Sequence, residues 1–231
     1  MFVHIGVEQI AVLALFRGLT SVELAWVGER LHSRIFQTGT NVITIDQPGE
    51  VVYAILNGTV KVHIEQADGT DVILAILGPG DTLGEMSLLD TAGRSANAET
   101  LEESTLIWMD RVTFQQCLKE IPTVSLNLIR ILSARLRLAN ELIQALASLD
   151  VYGRVARQLL AFAEKYGEED SNGQTTIPVR LTQGDIADLV GASRKRVNQV
   201  MVTFKHQNLI SVDAGSHITV HQRESLARYC R

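Results

Sequence analysis

Gly84-Glu85-Met86-Ser87-Leu88-Leu89-Asp90-Thr91-Ala92-Gly93-Arg94-Ser95-Ala96 is the stretch on which the reading of this chain turns. It follows the turn Gly78-Pro79-Gly80-Asp81 and precedes a strand-like run. A glycine lets the backbone come close to a ligand. Met86, Leu88 and Leu89 read as one short helical turn whose free N–H groups favour an anion. Arg94 adds a fixed positive fork and Ser95 a hydroxyl donor. Glu85, when ionised, only accepts hydrogen bonds, so it suits a sugar hydroxyl and not a phosphate. Together these groups fit a small sugar phosphate.

Working outward, residues 33–110 read as short strands punctuated by turns. Val51–Leu56, Val60–Ile64 and Val72–Leu77 are apolar, β-branched runs, and Asn57-Gly58 and Asp68-Gly69 are hairpin signals. Several strands at near-regular spacing mean a roll or barrel, closed by Thr105–Met109. Before the roll, Glu8–Phe16 and Ser21–Leu31 carry apolar residues at helical spacing, broken at Gly18, with Ser21 as a helix start.

Beyond Arg111 the period returns to helix, with one long helix from about Pro122 to Ser148. Ile129, Leu132, Leu136, Ala139, Ile143 and Leu146 alternate three and four apart, a heptad seam with Arg135, Arg137 and Glu141 outside it. Leu128, Leu142 and Leu149 offer a second apolar row. Two apolar faces imply that one packs on the roll and the other on a second copy in parallel. Asp150–Arg154 reads as a hinge, followed by a fresh helix Val155–Tyr166 and an exposed polar loop, Gly167–Gly173.

Thr182-Gln183-Gly184-Asp185 then opens a helix with a capping-box-like start, Gly191 makes a turn, and Ser193 caps a second helix, Arg194–Lys205. Two helices joined by a short glycine-containing turn are the helix-turn-helix pattern. Val197, Val200, Met201 and Phe204 form the apolar back of the second helix. The expected DNA-facing set is Thr182, Ser193, Arg194, Lys195, Arg196, Asn198 and Gln199. Ile210–Val212 and His217–Val220 follow as a wing hairpin.

Composition agrees. The 231 residues are 46% hydrophobic and 20% charged, enough to bury a proper core. No apolar run approaches the length of a bilayer span, and the N-terminal residues lack a signal-peptide pattern, so the cytoplasm is expected. Cys117 and Cys230 belong to no Cys-x-x-Cys or Cys/His cluster. Residues 151–231 carry 11 basic against 8 acidic side chains, and residues 1–150 carry 10 against 18. A basic C-terminal part behind an acidic N-terminal part fits a DNA-binding domain carried on a sensor.

The Gly84–Ala96 stretch resembles the phosphate-binding cassette of cyclic-nucleotide-binding domains, with the pattern Gly-Glu-(Leu or Met)-small-Leu, a spacer, then Arg-(Ser, Thr or Ala)-Ala. The resemblance implies that Glu85 holds the ribose 2'-hydroxyl and Arg94 with Ser95 the cyclic phosphate, within a ligand set of Gly84, Glu85, Met86, Ser87, Arg94 and Ser95. Roll, long helix and winged helix-turn-helix follow the order of the Crp/Fnr superfamily of bacterial regulators. Leu77–Asp81, Gly84–Met86, Leu181–Gln183 and Gly191–Arg194 match that family closely. The implied fold is α+β: a jelly-roll-like, cyclic-nucleotide-binding β-roll over 1–121, a long dimerisation helix over 122–149, and a winged helix-turn-helix over 150–231.

The implied function is a non-enzymatic, homodimeric transcription regulator whose binding to palindromic promoter DNA is controlled by cyclic AMP, with RNA polymerase a further candidate partner and no membrane. No cysteine group near the N-terminus suggests an iron-sulfur cluster, and His32 and His63 are isolated histidines, so neither metal, haem nor cluster is expected. Where cyclic AMP receptors of the family set two adjacent hydroxyl residues against adenine, this chain has Ala139 and Asn140. Asn140 can bond an adenine edge and Ala139 cannot, which leaves the base, and a ligand such as cyclic di-GMP, open. Two alternatives stand beside this reading: a structural Glu85–Arg94 ion pair, and a regulatory module acting through protein partners.

Overall fold

The computed structural model describes residues 6–67, 71–90 and 92–230. In chain order they form α1 (Val7–Ala11), α2 (Ser21–Gly28), β1 (His32–Phe36), β2 (Asn41–Ile43), β3 (Val51–Asn57), β4 (Val60–Glu65), β5 (Asp71–Leu77), β6 (Thr82–Leu83) and α3 (Met86–Leu89). Next come β7 (Asn97–Thr100), β8 (Ser104–Asp110), α4 (Arg111–Glu120), α5 (Pro122–Ser148), α6 (Val151–Tyr166), β9 (Glu168–Glu169) and β10 (Thr175–Ile177). The chain closes with α7 (Gln183–Val190), α8 (Arg194–His206), β11 (Ile210–Val212), β12 (Ile218–Val220) and α9 (Arg223–Ala227). This is the expected α+β class. The Asp68-Gly69 turn signal and Thr91 of the cassette lie outside the described residues, as do residues 1–5. By compactness the chain divides into two units, Met1–Glu65 with Ala75–Leu136, and Gln66–Leu74 with Arg137–Arg231.

The first unit is built on the roll. The sheets of the roll run in the orders β1-β8-β3-β6 and β2-β7-β4-β5. Neighbouring residues of a strand face opposite ways, and the two cores follow from that. Ile55 and Leu106 join Phe36, Val60, Leu83 and Ala98 in one cluster. Ala54 and Ile107, one residue along each strand, join Ile10, Phe16, Val27, Phe114, Val124 and Leu128 from the helices in the other.

Several local expectations are corrected here. Asn57-Gly58 does not close a hairpin, because β3 pairs with β6 and β8 while β4 pairs with β7. The turn carries the chain from one sheet to the other. Gly58 has φ 95°, and a Cβ there would lie 2.2 Å from Ser104 Oγ, so backbone conformation and close approach both require glycine. The helix expected over 8–16 stops at Ala11 and resumes as a 3-10 turn, Ala14–Phe16, which buries Leu15 and Phe16. α2 is capped by Thr20, not Ser21: its hydroxyl accepts from Glu23 N, and the Glu23 carboxylate accepts from Thr20 N at 2.7 Å.

α4 ends at Ile121, whose backbone (φ −121°, ψ 87°) is not helical, and Pro122 opens α5 at the first helical position, where its missing N–H costs nothing. Buried Asn127 ties the start of α5 to the N-terminal segment by donating to Leu15 O at 3.1 Å and Arg17 O at 2.8 Å.

In the second unit α6 begins at Val151, with Asp150 as its cap accepting from Gly153 N at 2.8 Å. Val151–Arg154, expected as hinge, are therefore helical, and the non-helical link shrinks to Leu149-Asp150. α7 and α8 form the helix-turn-helix, and the wing strands β11 and β12 belong to a four-stranded sheet, β11-β12-β10-β9. Part of the expected 167–173 loop is thus the edge strand β9.

Candidate functional site

The cassette packs Glu85, Ser87 and Arg94 into the interior of the first unit. Gly84 has φ 82°, and a Cβ on it would stand 2.5 Å from Arg94 Nη1 and 3.0 Å from Ile43 Cδ1. The guanidinium therefore occupies the space that a side chain at this position would take. Arg94 donates from Nη1 to Gly84 O at 2.7 Å and Ser87 Oγ at 2.9 Å, and from Nη2 to Val51 O at 2.7 Å. Burial holds its guanidinium below the usual arginine range; Tyr53, Glu85 and Glu50 oppose that shift, and the Arg111 charge reinforces it. Arg111 braces the cassette from below, donating to Gly49 O at 2.6 Å and to Ser87 O at 2.8 Å.

Glu85 does not pair with Arg94. Only 1% exposed, it accepts through Oε1 from Arg135 Nη1 at 2.6 Å, and Arg135 Nη2 also donates to Thr82 O. Glu85 Oε2 and Thr82 Oγ1 are buried without a hydrogen-bond partner. A buried carboxylate oxygen left unpaired is costly, so the site holds an unused acceptor beside an unused hydroxyl. Met86 and Ser95 are exposed, and Asn140 is exposed on α5 in the second unit. His32 packs against Trp108 with ring centroids 4.4 Å apart, while His63 lies 3.8 Å from Glu99.

The helix-turn-helix is held by its caps. Thr182 Oγ1 accepts from Asp185 N at 3.2 Å while Asp185 Oδ2 accepts from Thr182 N at 2.9 Å. Gly191 turns the chain in the left-handed region, and Ser193 Oγ accepts from Arg196 N at 3.3 Å. Thr182 and Ser193 therefore serve the helix starts. Val197, Val200, Met201 and Phe204 are buried as expected, and Arg194, Lys195, Arg196, Asn198 and Gln199 are all exposed. The wing turn is fixed by Asp213, which accepts from His217 N at 2.8 Å and lies 3.0 Å from His217 Nδ1. His217 N–H holds the Asp213 carboxyl below its ordinary range.

Residues 33–121 match the cyclic nucleotide-binding domain family, and residues 153–229 match the Crp-like helix-turn-helix domain family. A CRP-like cAMP-activated global transcriptional regulator from Mycobacterium tuberculosis is 35% identical over 97% of this chain and 99% of its own length. This chain belongs to the Crp/Fnr family of transcription regulators. A cyclic AMP receptor protein from Thermus thermophilus is 29% identical over 91% of this chain and 93% of its own. The structure of FixK2 from Bradyrhizobium japonicum superimposes with a TM-score of 0.75 at 20% identity, covering 87% of this chain and 98% of that one, which speaks to the fold alone. Members of the Crp/Fnr family are DNA-binding regulators and not enzymes. Among the described residues of this one, no helix is long and apolar enough to cross a membrane.

Two residues of the buried cluster in this Crp/Fnr regulator, Arg135 and Arg111, carry no local mark in the sequence. Arg135 was visible only as a cation beside the heptad seam, and no local pattern pairs it with a carboxylate 50 positions earlier. Arg111 was visible only as the residue after a strand, although it holds carbonyls 62 and 24 positions away.

Proposed function

We propose that this Crp/Fnr regulator is a cytoplasmic homodimer whose affinity for promoter DNA is set by cyclic AMP bound in the roll. The observation that carries the ligand reading is Glu85, a buried carboxylate whose Oε2 has no partner while its Oε1 is held by Arg135. A ribose hydroxyl donating to Oε2 would remove that deficit. Arg94 supports the phosphate half, because a guanidinium held below its ordinary range by burial gains from an adjacent anion. Gly84, Met86, Ser87 and Ser95 complete the proposed phosphate and sugar contacts, and the exposed amide of Asn140 is the proposed partner of the adenine edge. The Mycobacterium tuberculosis relative, named as cAMP-activated, favours the same nucleotide.

The dimer reading rests on α5. Ile129, Leu136 and Ile143, seven apart, are 59%, 64% and 65% exposed, an apolar stripe that a second copy would cover. For the DNA, Arg194, Lys195, Asn198 and Gln199 are the proposed base and phosphate contacts on a palindrome, with half-sites about one helical turn apart. Isothermal titration of nucleotide-stripped protein with cyclic AMP, cyclic GMP and cyclic di-GMP tests the ligand, followed by DNA binding with and without the ligand that binds. Cyclic AMP is expected to bind best and to raise DNA affinity. Equal DNA affinity with and without it overturns the switch, and preference for cyclic di-GMP overturns the choice of nucleotide.

A further inference from the structure

The three cations that open α8 are equivalent in sequence and unequal in structure. Arg196 Nη1 donates to Gln199 Oε1 at 3.2 Å, one helical turn on, and its guanidinium carbon lies 5.9 Å from the centroid of the Tyr152 ring. That ring is itself held. It stacks on Tyr229 at 6.0 Å and meets Phe204 edge-on at 6.0 Å, and its hydroxyl is 3.4 Å from Thr203 Oγ1. Phe204 is fully buried, so the platform beneath Arg196 is anchored in the core of its unit.

We propose that Arg196 is a positioning residue for base reading: seated on Tyr152, it fixes the side-chain amide of Gln199 and so sets which base that glutamine accepts. The inference rests on the reading above that Gln199 faces base edges. A glutamine amide turns about a broad, two-fold torsion, and can present its donor and acceptor in either order. A guanidinium carries only donors, so the atom it binds must be Oε1, and Nε2 is left pointing away. The carbonyl keeps a second lone pair. A fixed amide can still read adenine through N7 and the N6 amino group, but only when those atoms lie in one order along the groove. Ordering the amide before DNA arrives also lowers the entropy lost on binding. Arg196 thereby contributes orientation, and the phosphate contacts fall to its neighbours Arg194 and Lys195.

A site is selected from random DNA by the 231-residue protein, and affinity for it, and for versions changed at each base pair of the half-site in turn to locate the one that Gln199 reads, is measured across a salt series with saturating cyclic AMP and without it. Arg196→Met keeps an unbranched stem over Tyr152 and removes the donors. The expected result is a loss of roughly ten-fold in preference at that base pair, an unchanged slope of log affinity against log salt, and partial rescue by Arg196→Lys. In a Gln199→Ala background, Arg196→Met is expected to change preference no further. A slope smaller by about 0.9 with preference intact makes Arg196 a phosphate contact and overturns the proposal. Relaxed preference in Gln199→Ala but not in Arg196→Met defeats the positioning role alone. Unrelaxed preference in Gln199→Ala defeats the base-facing assignment of Gln199 and the inference with it.

Discussion

Replacing Arg135 with methionine in the ligand-free protein tests how the roll carries its own buried charge. Glu85 is 1% exposed, and the 2.6 Å bond from Arg135 Nη1 is what its Oε1 receives. A hydrogen bond to a charged group contributes about 1.5–3 kcal/mol, and stranding one member of a fully buried pair costs about 3–5 kcal/mol. Arg135 retains 31% side-chain exposure, so water reaches the pair and the loss falls near the lower end, about 2 kcal/mol. At about 2–4 °C per kcal/mol for a chain of this size, melting shifts down by about 4–8 °C. Trp26 and Trp108 are the only tryptophans and both lie in the first unit, so fluorescence excited selectively at tryptophan follows that unit alone. The decisive measurement is a double-mutant cycle with Glu85→Gln, where no charge remains to strand and Arg135→Met is expected to cost little. A coupling energy of about 2 kcal/mol is expected. Additivity within about 0.5 kcal/mol would refute the reasoning, leaving Arg135 a surface cation that happens to lie near Glu85.

Further outcomes are expected from other parts of the chain. Leu136→Glu places a charge in the exposed α5 stripe and is expected to weaken self-association at least about ten-fold by sedimentation equilibrium, with the tryptophan melt unchanged only at dilutions where both proteins are monomeric; an unaltered mass distribution would remove α5 from the interface. Gly84→Ala adds a Cβ at φ 82° and 2.5 Å from Arg94 Nη1, so it is expected to displace that guanidinium and reduce cyclic AMP affinity about ten-fold or more by titration calorimetry. Burial pushes the Cys117 thiol up to about 11, so at pH 8 about one in a thousand is thiolate, and that fraction rises about ten-fold per pH unit until it nears 11. Mass spectrometry after brief alkylation of the native protein is expected to find label on Cys230 before Cys117, with both labelled once the chain is unfolded; early modification of Cys117 would contradict its burial.

Where sequence and structure agree, the signal is local. The apolar back of α8 and the Thr182 and Ser193 caps are set by residues within one or two helical turns of each other, and they appear where spacing puts them. The cassette was recognisable because its glycine, acid and arginine sit within a few residues. What escaped depends on pairing over distance. Asn57-Gly58 has the chemistry of a hairpin, but turn chemistry does not fix which strand lies alongside; β8, arriving 47 residues after Asn57, takes that place. One miss is local: Asp150–Arg154 reads as a hinge because the heptad lapses there, whereas the Asp150 side chain caps a helix that starts at once. The alternative ion pair between Glu85 and Arg94, nine positions apart, does not form: Arg94 is occupied by backbone carbonyls and a hydroxyl, and the cation beside Glu85 comes from α5.

The buried cluster around Glu85 and Arg94 draws on residues far apart in the chain: Arg94 reaches Val51 across 43 positions, Arg135 reaches Glu85 across 50, and Arg111 reaches Gly49 across 62. Such contacts form late, because long loops must close before the contacts can offset the entropy of closure. During synthesis a nascent chain carrying the whole cassette still lacks the arginine that neutralises its buried acid until α5 has left the ribosome. Neutralisation of the buried acid is thereby tied to the completion of α5.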